Sequence, residues 1–189
     1  MRGKAQIRQE QRQLRQQLGL AEIRHLSGEI SRRFLDWLSE RPHISHIHLF
    51  FPIDRLREVD TFSLFGQLKN AGFTLYTSAV KADKNTLATL EITHVGDFGK
   101  DALGIPSPIG AFEVAPDKIQ LVVVPLLAFD GKGSRLGYGK GYYDGFLSGL
   151  DPGVLKVGFN FFGPVSGIPA EAHDVGLDFC ITPSQVFGF

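Results

Sequence analysis

Apolar residues occur at helical spacing in the first part of the chain and at strand spacing, or in continuous runs, in most of the rest. Residues 4–18 are rich in Gln, Arg and Leu and contain no Gly or Pro, which favours a helix. In this helix four cations recur at spacings of four, four and three, which predicts that they share one face. These cations are Lys4, Arg8, Arg12 and Arg15.

Alternating or continuous apolar segments predict a series of strands separated by helices. The predicted strands are residues 44–51, 73–78, 86–95 (a strand or a hairpin arm), 119–129, 155–161 and 179–182. The predicted helices after the first are residues 21–38, a helix that Asp60 or Thr61 caps and Gly72 ends, and residues 141–150. Residues 104–110, with Pro106 and Pro108, predict a loop.

The continuous apolar run within residues 119–129 is typical of a central strand covered on both faces. Strands that alternate with helices predict an α/β fold, a three-layer domain with a largely parallel central sheet flanked by helices. With 189 residues and 43% hydrophobic content, the chain is expected to form one domain over residues 1–189, with the basic helix at its N-terminus.

Charge and cysteine content narrow the expected partners and compartment. The formal net charge is zero, which gives no reason to expect nucleic acid or an acidic membrane as partner. The single cysteine, Cys180, cannot form an internal disulfide, and no apolar run is long enough to suggest a membrane span. We therefore expect a cytoplasmic protein that acts as a monomer, without nucleic-acid or membrane partners.

A glycine-rich, basic loop follows the apolar run. Five glycines fall between Gly131 and Gly141, interleaved with Lys132, Arg135 and Lys140. Glycine lets the backbone approach a ligand closely, and a loop between a strand and a helix directs N–H groups at an anion. The loop therefore predicts a phosphate site, although a flexible, merely solvated turn remains the alternative. Neither a P-loop nor a dinucleotide fingerprint fits its spacing.

The segment VPLLAFDGKGSRLGYGKGYYDGFL, residues 124–147, resembles the signature of the 5-formyltetrahydrofolate cyclo-ligase family, Arg-Leu-Gly-x-Gly-x-Gly-Tyr-Tyr-Asp preceded by a strand that ends in Phe-Asp. The resemblance extends to the Lys-x-x-x-Arg opening, to Glu-Val-Asp-Thr at 58–61, to Gly-Ile-Pro at 104–106, and to the C-terminal segment 173–183.

The resemblance implies an enzyme that binds ATP and a reduced folate. The implied ATP-binding residues are Lys4, Arg8, Arg135, Leu136, Gly137, Tyr138, Gly139, Lys140, Gly141, Tyr142 and Tyr143. Without it, Lys4 and Arg8 would be interpreted as a solvated helix face. The implied folate contacts are Ile53, Glu58, Tyr142 and Tyr143, although a tyrosine pair at a helix start is often only part of the core.

The resemblance also implies Mg²⁺ as cofactor, held by Asp144 and Asp174 together with phosphate oxygens. Asp144 could instead only stabilise the start of its helix. Asp130 and Asp178 are left open between a structural and a functional role. Leu103 replaces a residue that is often aromatic in the family and Ser107 one that is often acidic, so the shape of the folate pocket is not determined by the resemblance.

The implied reaction is the ATP-dependent conversion of 5-formyltetrahydrofolate to 5,10-methenyltetrahydrofolate, with release of ADP and phosphate. The formyl oxygen attacks the γ-phosphate, N10 attacks the activated carbon, and phosphate leaves. Two alternatives stay open from the sequence, a non-catalytic folate- or nucleotide-binding relative and another ATP-dependent enzyme on the same fold.

Overall fold

The structure is a computed structural model that describes residues 3–81, 86–93, 98–100 and 105–189. The helices are α1 Lys4–Gln17, α2 Leu20–Ser39, α3 Phe62–Asn70 and α4 Tyr142–Ser148. The strands are β1 His46–His48, β2 Thr74–Val80, β3 Leu87–Glu91, β4 Phe98–Lys100, β5 Pro106–Pro108, β6 Phe112–Val114, β7 Leu121–Pro125, β8 Ala128–Phe129, β9 Arg135–Leu136, β10 Leu155–Phe159, β11 Phe179–Ile181 and β12 Val186–Gly188.

An 8-stranded sheet forms the centre, in the order β12-β11-β10-β7-β1-β2-β3-β6. Its inner strands, from β11 to β2 in that order, are all parallel, whereas β12, β3 and β6 join antiparallel at the two edges. The predicted α/β fold with a largely parallel sheet is therefore confirmed.

Strand β7 shows why the sheet is covered on both faces. Leu121 and Val123 pack in the cluster that contains α2 and α3, whereas Val122 and Val124 pack on the opposite face. Successive side chains of a strand point to opposite faces of the sheet, so a strand that is apolar throughout must be covered on both faces. On the second face the cover includes Leu147 of α4.

Helix α1 packs apart from both large clusters. Its Ile7 is fully buried against Ala128, Leu136 and Ile168. Burying one such side chain contributes about 1.5–3 kcal/mol relative to leaving it exposed. This contact holds the basic face of α1 beside the short hairpin of β8 and β9, which pair antiparallel and enclose the first part of the glycine-rich loop.

Several elements differ from the sequence expectation. The run 119–129 does not continue as one strand, because the chain leaves the main sheet after Pro125 and pairs with Arg135–Leu136 instead. Pro106–Pro108, expected as loop, pairs with β4 as β5, and the strands β4, β6 and β12 were not predicted. Burial alone cannot indicate which sheet a strand joins, and proline can occupy a strand that pairs on one side only.

Within the described residues, the helices are too short or too polar to cross a bilayer.

Candidate active site

A cavity of about 580 Å³ opens beyond the carboxyl ends of β1, β2 and β7. This is the edge at which parallel α/β sheets usually bind ligands. Every residue that the sequence analysis assigned to ATP, folate or the metal lines this cavity, from Lys4 on α1 to Asp174 near the C-terminus. The tertiary structure thus brings together residues that lie up to 170 positions apart in the chain.

Helix α1 holds the glycine-rich loop by its backbone carbonyls. Arg8 Nε donates to Gly137 O at 3.0 Å, and Arg12 Nη2 donates to Tyr138 O at 3.3 Å. Gly139 and Gly141 have φ values of 97° and 72°, a conformation that side chains with a Cβ rarely adopt. A Cβ on Gly139 would be in ordinary contact with the Arg8 guanidinium, so it is the positive φ that requires glycine there.

Arg135 and Asp144 form an ion pair at the floor of the cavity. Arg135 Nη2 donates to Asp144 Oδ1 at 2.7 Å, and the same oxygen accepts from Val175 N at 3.2 Å. Burial lowers the pKa of Arg135, while Asp144 and Asp174 oppose that shift. The first turn of α4 and the segment that carries Asp174 are therefore joined through one carboxylate.

A second ion pair joins α1 to the same segment. Lys4 Nζ donates to Asp174 Oδ2 at 2.7 Å and lies 3.1 Å from Glu171 Oε2. The pKa of Asp174 is lowered: burial acts against the shift, and the Lys4 and Glu171 hydrogen bonds produce it. His173 lies beside both carboxylates, with Nε2 3.3 Å from Glu171 Oε2. Lys4 and Arg135 thus each neutralise one of the two predicted metal ligands.

The cavity also contains a buried carboxylate. Glu58 is only 5% exposed, and its Oε2 accepts from Ile53 N at 2.7 Å. Burial raises the pKa of Glu58, against the effect of hydrogen bonds from the Tyr138 side chain and Ile53 N. Apolar residues including Ile53 and Phe51 line the cavity nearby. A planar, polar heterocycle with N–H donors suits these surroundings.

The two predicted tyrosines of α4 both line the cavity. Tyr143 also packs into the fold, with its ring 6.2 Å from that of Phe146 and 6.3 Å from that of His48. Burial raises the pKa of the Tyr143 hydroxyl, which stays neutral as a consequence. The structural and the functional interpretation of this tyrosine pair are therefore compatible.

Comparison with known proteins identifies the family. The model of the 5-formyltetrahydrofolate cyclo-ligase family matches residues 1–183. The chain belongs to this family. The solved structure of 5,10-methenyltetrahydrofolate synthetase from Aquifex aeolicus is similar at 30% identity and a TM-score of 0.82, over 98% of this chain and 92% of that one. The synthetase from Mycoplasma pneumoniae is similar at 26% identity and a TM-score of 0.78, over 95% and 98% of the two chains.

Among curated relatives, the mitochondrial 5-formyltetrahydrofolate cyclo-ligase of Arabidopsis thaliana is 30% identical over 156 residues. That match covers 69% of this chain and 56% of the plant protein, so it spans little more than half of the plant protein's length. The resemblance to the cyclo-ligase family that the sequence indicated is confirmed. The named relatives and the similar solved structures are enzymes of this family.

Asp130 and Asp178, whose roles the sequence left open between structure and function, do not line the cavity of this cyclo-ligase fold. Asp130 accepts from the backbone N–H groups of Lys132, Ser134 and Ile168, each at 3.0 Å. Asp178 Oδ2 accepts from Lys156 N at 2.7 Å. Their contacts hold the start of the glycine-rich loop and the start of β10, respectively, so both carboxylates have structural partners.

Several cavity residues were missed in the sequence, and three of them are polar or charged residues with clear contacts or positions. Arg12 was noted only as part of a charged stripe, Glu171 was not singled out, and Ser78 at the end of β2 was interpreted only as strand. Ser78 Oγ lies 2.6 Å from Nε2 of His48, a fully buried histidine whose pKa burial lowers to about 3. Only the spacing of Arg12 to Lys4 and Arg8 could have signalled one of these residues.

The two departures from the family pattern have different outcomes. Ser107 lies on β5 opposite Gly99 and does not line the cavity, whereas its neighbours Ile105 and Pro106 do. Leu103 lies outside the described residues.

Proposed function

We propose that this chain catalyses the ATP-dependent conversion of 5-formyltetrahydrofolate to 5,10-methenyltetrahydrofolate, with release of ADP and phosphate. The observation that carries the proposal is a single cavity lined by two chemically different groups of residues. We call the cations and the carboxylates Asp144 and Asp174 around the glycine-rich loop its nucleotide end, and the surroundings of buried Glu58 its folate end. Two dissimilar substrates can therefore meet in one space.

The nucleotide end supplies charge for phosphate groups. Lys4, Arg8, Arg135 and Lys140 line it. The guanidinium of arginine can hold two phosphate oxygens at once, and loop N–H groups add donors without further charge. We assign the triphosphate to these residues and to the backbone between Leu136 and Gly141.

The residues present fit a magnesium ion. Val175, the residue after Asp174, donates its backbone N–H to Asp144 Oδ1 at 3.2 Å, and both carboxylates line the same cavity. One or two carboxylates with phosphate oxygens and water form the usual environment of Mg²⁺ in enzymes that use ATP. We propose that these two carboxylates hold Mg²⁺, which would orient the phosphates and neutralise their charge.

The folate end is assigned through Glu58. An ionised carboxylate accepts hydrogen bonds only, so it suits the paired N–H groups of an aminopyrimidine ring. Ile53 supplies an apolar wall of the same cavity, and Tyr142 and Tyr143 also line it. We assign the folate ring to these residues.

The chemistry requires positioning more than a protein nucleophile. The formyl oxygen attacks the γ-phosphorus as the bond to ADP breaks, N10 then attacks the activated carbon and loses its proton, and phosphate leaves with the former formyl oxygen. Arg135, Lys140 and Lys4 stabilise the charge on the transferring group. Holding both substrates in one cavity lowers the entropic cost of the first step.

We further propose that residues 1–189 act as a single domain and as a monomer. A reducing cytoplasm suits the single cysteine, which is buried and unpaired.

The direct test is incubation with 5-formyltetrahydrofolate, ATP and Mg²⁺ while the near-ultraviolet absorbance of the methenyl product is recorded. Product should form only when all three are present. Glu58→Gln should lose most of this activity, whereas the matched replacement of an exposed acid on α2, Asp36→Asn, should retain it. A folded wild-type protein that gives no product under these conditions would contradict the proposed function.

A further inference from the structure

His48 and Ser78 form a polar pair to which the proposed function gives no role. Nε2 of His48 on β1 lies 2.6 Å from Oγ of Ser78 on the neighbouring strand β2. His48 is fully buried, and within the described residues its Nδ1 has no hydrogen-bond partner. Ser78 is half-buried and lines the cavity. The bond between them therefore connects a buried ring to a hydroxyl at the cavity wall.

The sheet and helix α4 hold this pair in place. In the register of β1 and β2, His48 lies opposite Tyr76, so Ser78 is its diagonal neighbour two residues further along. The His48 ring also packs near Phe146 and Tyr143 of α4, with ring centroids 5.0 and 6.3 Å away. An imidazole that is fixed by packing can in turn fix the rotamer of the serine hydroxyl that it bonds.

A serine beside a histidine can act as a nucleophile with its base, but this pair does not suit that role. Burial lowers the pKa of His48 to about 3, so the neutral ring is a poor proton acceptor near neutral pH. A histidine base is also oriented by a third group at its other nitrogen, and Nδ1 lacks such a partner in the described part of the chain. The pair is suited to holding a hydroxyl in place.

The Ser78 hydroxyl has hydrogen-bonding capacity left for a ligand. A hydroxyl offers one donor and two acceptor positions, and the bond to His48 uses one of them in either tautomer of the ring. The described residues of β2 and β3 that line the cavity are all uncharged, namely Thr77, Ser78, Val80 and Leu87. A phosphate finds no opposite charge on these strands, whereas a neutral ring with polar edge atoms suits this lining.

We propose that Ser78 is a folate-binding residue and that His48 is the positioning residue that orients its hydroxyl. The inference rests on the proposed function, because it takes 5-formyltetrahydrofolate as the ligand of the uncharged part of the cavity. In that function Glu58 accepts from N–H groups of the folate ring, and Ser78 adds a polar contact from β2. Contacts from two separate elements restrict the orientation of a planar ring more than one carboxylate does.

Calorimetric titration of Ser78→Ala tests the folate contact. The loss of one neutral hydrogen bond should weaken the affinity for 5-formyltetrahydrofolate by about three- to tenfold. The affinity for a non-hydrolysable ATP analogue with Mg²⁺ should stay within about twofold of wild type, because Ser78 lies in the uncharged lining. Urea denaturation shows whether the variant is folded, since the His48 ring loses its partner.

His48→Leu tests the positioning role. Leucine is an apolar side chain of similar size without the ring nitrogens, so the Ser78 hydroxyl is no longer oriented. This change alone should weaken folate affinity by about threefold. In the Ser78→Ala background it should change that affinity by less than about 1.5-fold, whereas a residue that acts only through general packing would weaken binding equally in both backgrounds.

Tyr76→Phe is the matched control. The Tyr76 hydroxyl lies 2.9 Å from Nδ1 of His46, so it forms the same kind of bond between the same two strands, two residues earlier on each. Neither of these two residues lines the cavity. The control should therefore keep the wild-type affinities for both ligands.

Unchanged folate affinity in folded Ser78→Ala would overturn the inference, as would a loss confined to the ATP analogue. Equal effects of His48→Leu in the two backgrounds would refute its positioning role. If Ser78→Ala does not fold, the double variant with His48→Leu, which leaves no unpaired polar group at this pair, carries the folate test. The proposed function fails separately, through absence of methenyl formation by the wild type, which none of these variants alters.

Discussion

Replacing Arg135 by lysine tests the nucleotide end of the cavity most sharply. Arg135 is 6% exposed and bonds Asp144 at 2.7 Å. Alanine would leave Asp144 without its cation and so mix a loss of stability with a loss of binding. Lysine keeps the positive charge but not the planar fork, so it cannot hold Asp144 and a phosphate oxygen in the same way.

The expected magnitude follows from one lost charge-assisted hydrogen bond. Such a bond contributes about 1.5–3 kcal/mol, which corresponds to about a 10- to 100-fold weaker affinity for ATP. Affinity for 5-formyltetrahydrofolate should change by less than about twofold, because Arg135 is not among the residues assigned to folate. Titration of the variant with Mg²⁺ and a non-hydrolysable ATP analogue, and separately with folate, measures both values.

Arg33→Lys is the matched control. Arg33 on α2 is also partly buried, donates to the carbonyl of Pro183, and lies outside the cavity. Nε of both arginines is buried without a partner among the described residues, so that feature alone does not mark a ligand site. Urea denaturation of both variants shows whether stability has changed. Unaltered ATP binding in folded Arg135→Lys, or an equal loss for folate, would refute the assignment.

Three further predictions concern the metal, the acid dependence and the loop. Activity should vanish in excess chelator, and full turnover there would exclude the metal. Asp144→Asn should raise the Mg²⁺ concentration for half-maximal activity by about tenfold, which corresponds to about 1.4 kcal/mol. The control Asp117→Asn, at an exposed position, should leave that concentration unchanged. Burial raises the pKa of Glu58 above 4.5, so acidification should protonate this carboxylate and weaken folate binding at pH values still above 4.5. The same shift makes the free energy of unfolding decrease as pH rises through this window, because the folded state binds the proton more tightly than the unfolded state. Calorimetry and urea denaturation check both signs in wild type and in Glu58→Gln, which should lack both effects. Gly133→Ala should lower the free energy of unfolding by at least about 1–2 kcal/mol, because Gly133 has a φ of 79° and a Cβ there would lie 2.8 Å from Leu177 O. In the control Gly131→Ala the added Cβ meets nothing within 4 Å, so the loss should be smaller. Equal urea midpoints for the two variants would contradict this prediction.

Much of the site was predictable because its residues are clustered in sequence. The segment from Arg135 to Asp144 contains the glycines, cations, tyrosines and one carboxylate of the cavity. Their order in the chain nearly determines their neighbourhood in space, since a loop between a short strand and a helix has few conformations open to it. The alternation of apolar strands and helices predicted the parallel sheet for a similar reason, because a strand that is apolar on both faces needs cover on both.

The sequence by itself determined the fold class, the glycine-rich loop and the family, but not the contacts that join distant segments. Arg15 was indistinguishable in pattern from exposed Arg12, since both belong to one charged stripe. Tyr138 belongs to the loop in sequence, yet its hydroxyl accepts a hydrogen bond from Arg15 of α1. Likewise, one apolar run became two strands in different sheets. Burial and hydrogen-bond direction are properties of packed surfaces, and helical spacing specifies only which face a residue is on. What lies against that face is settled by the tertiary structure alone.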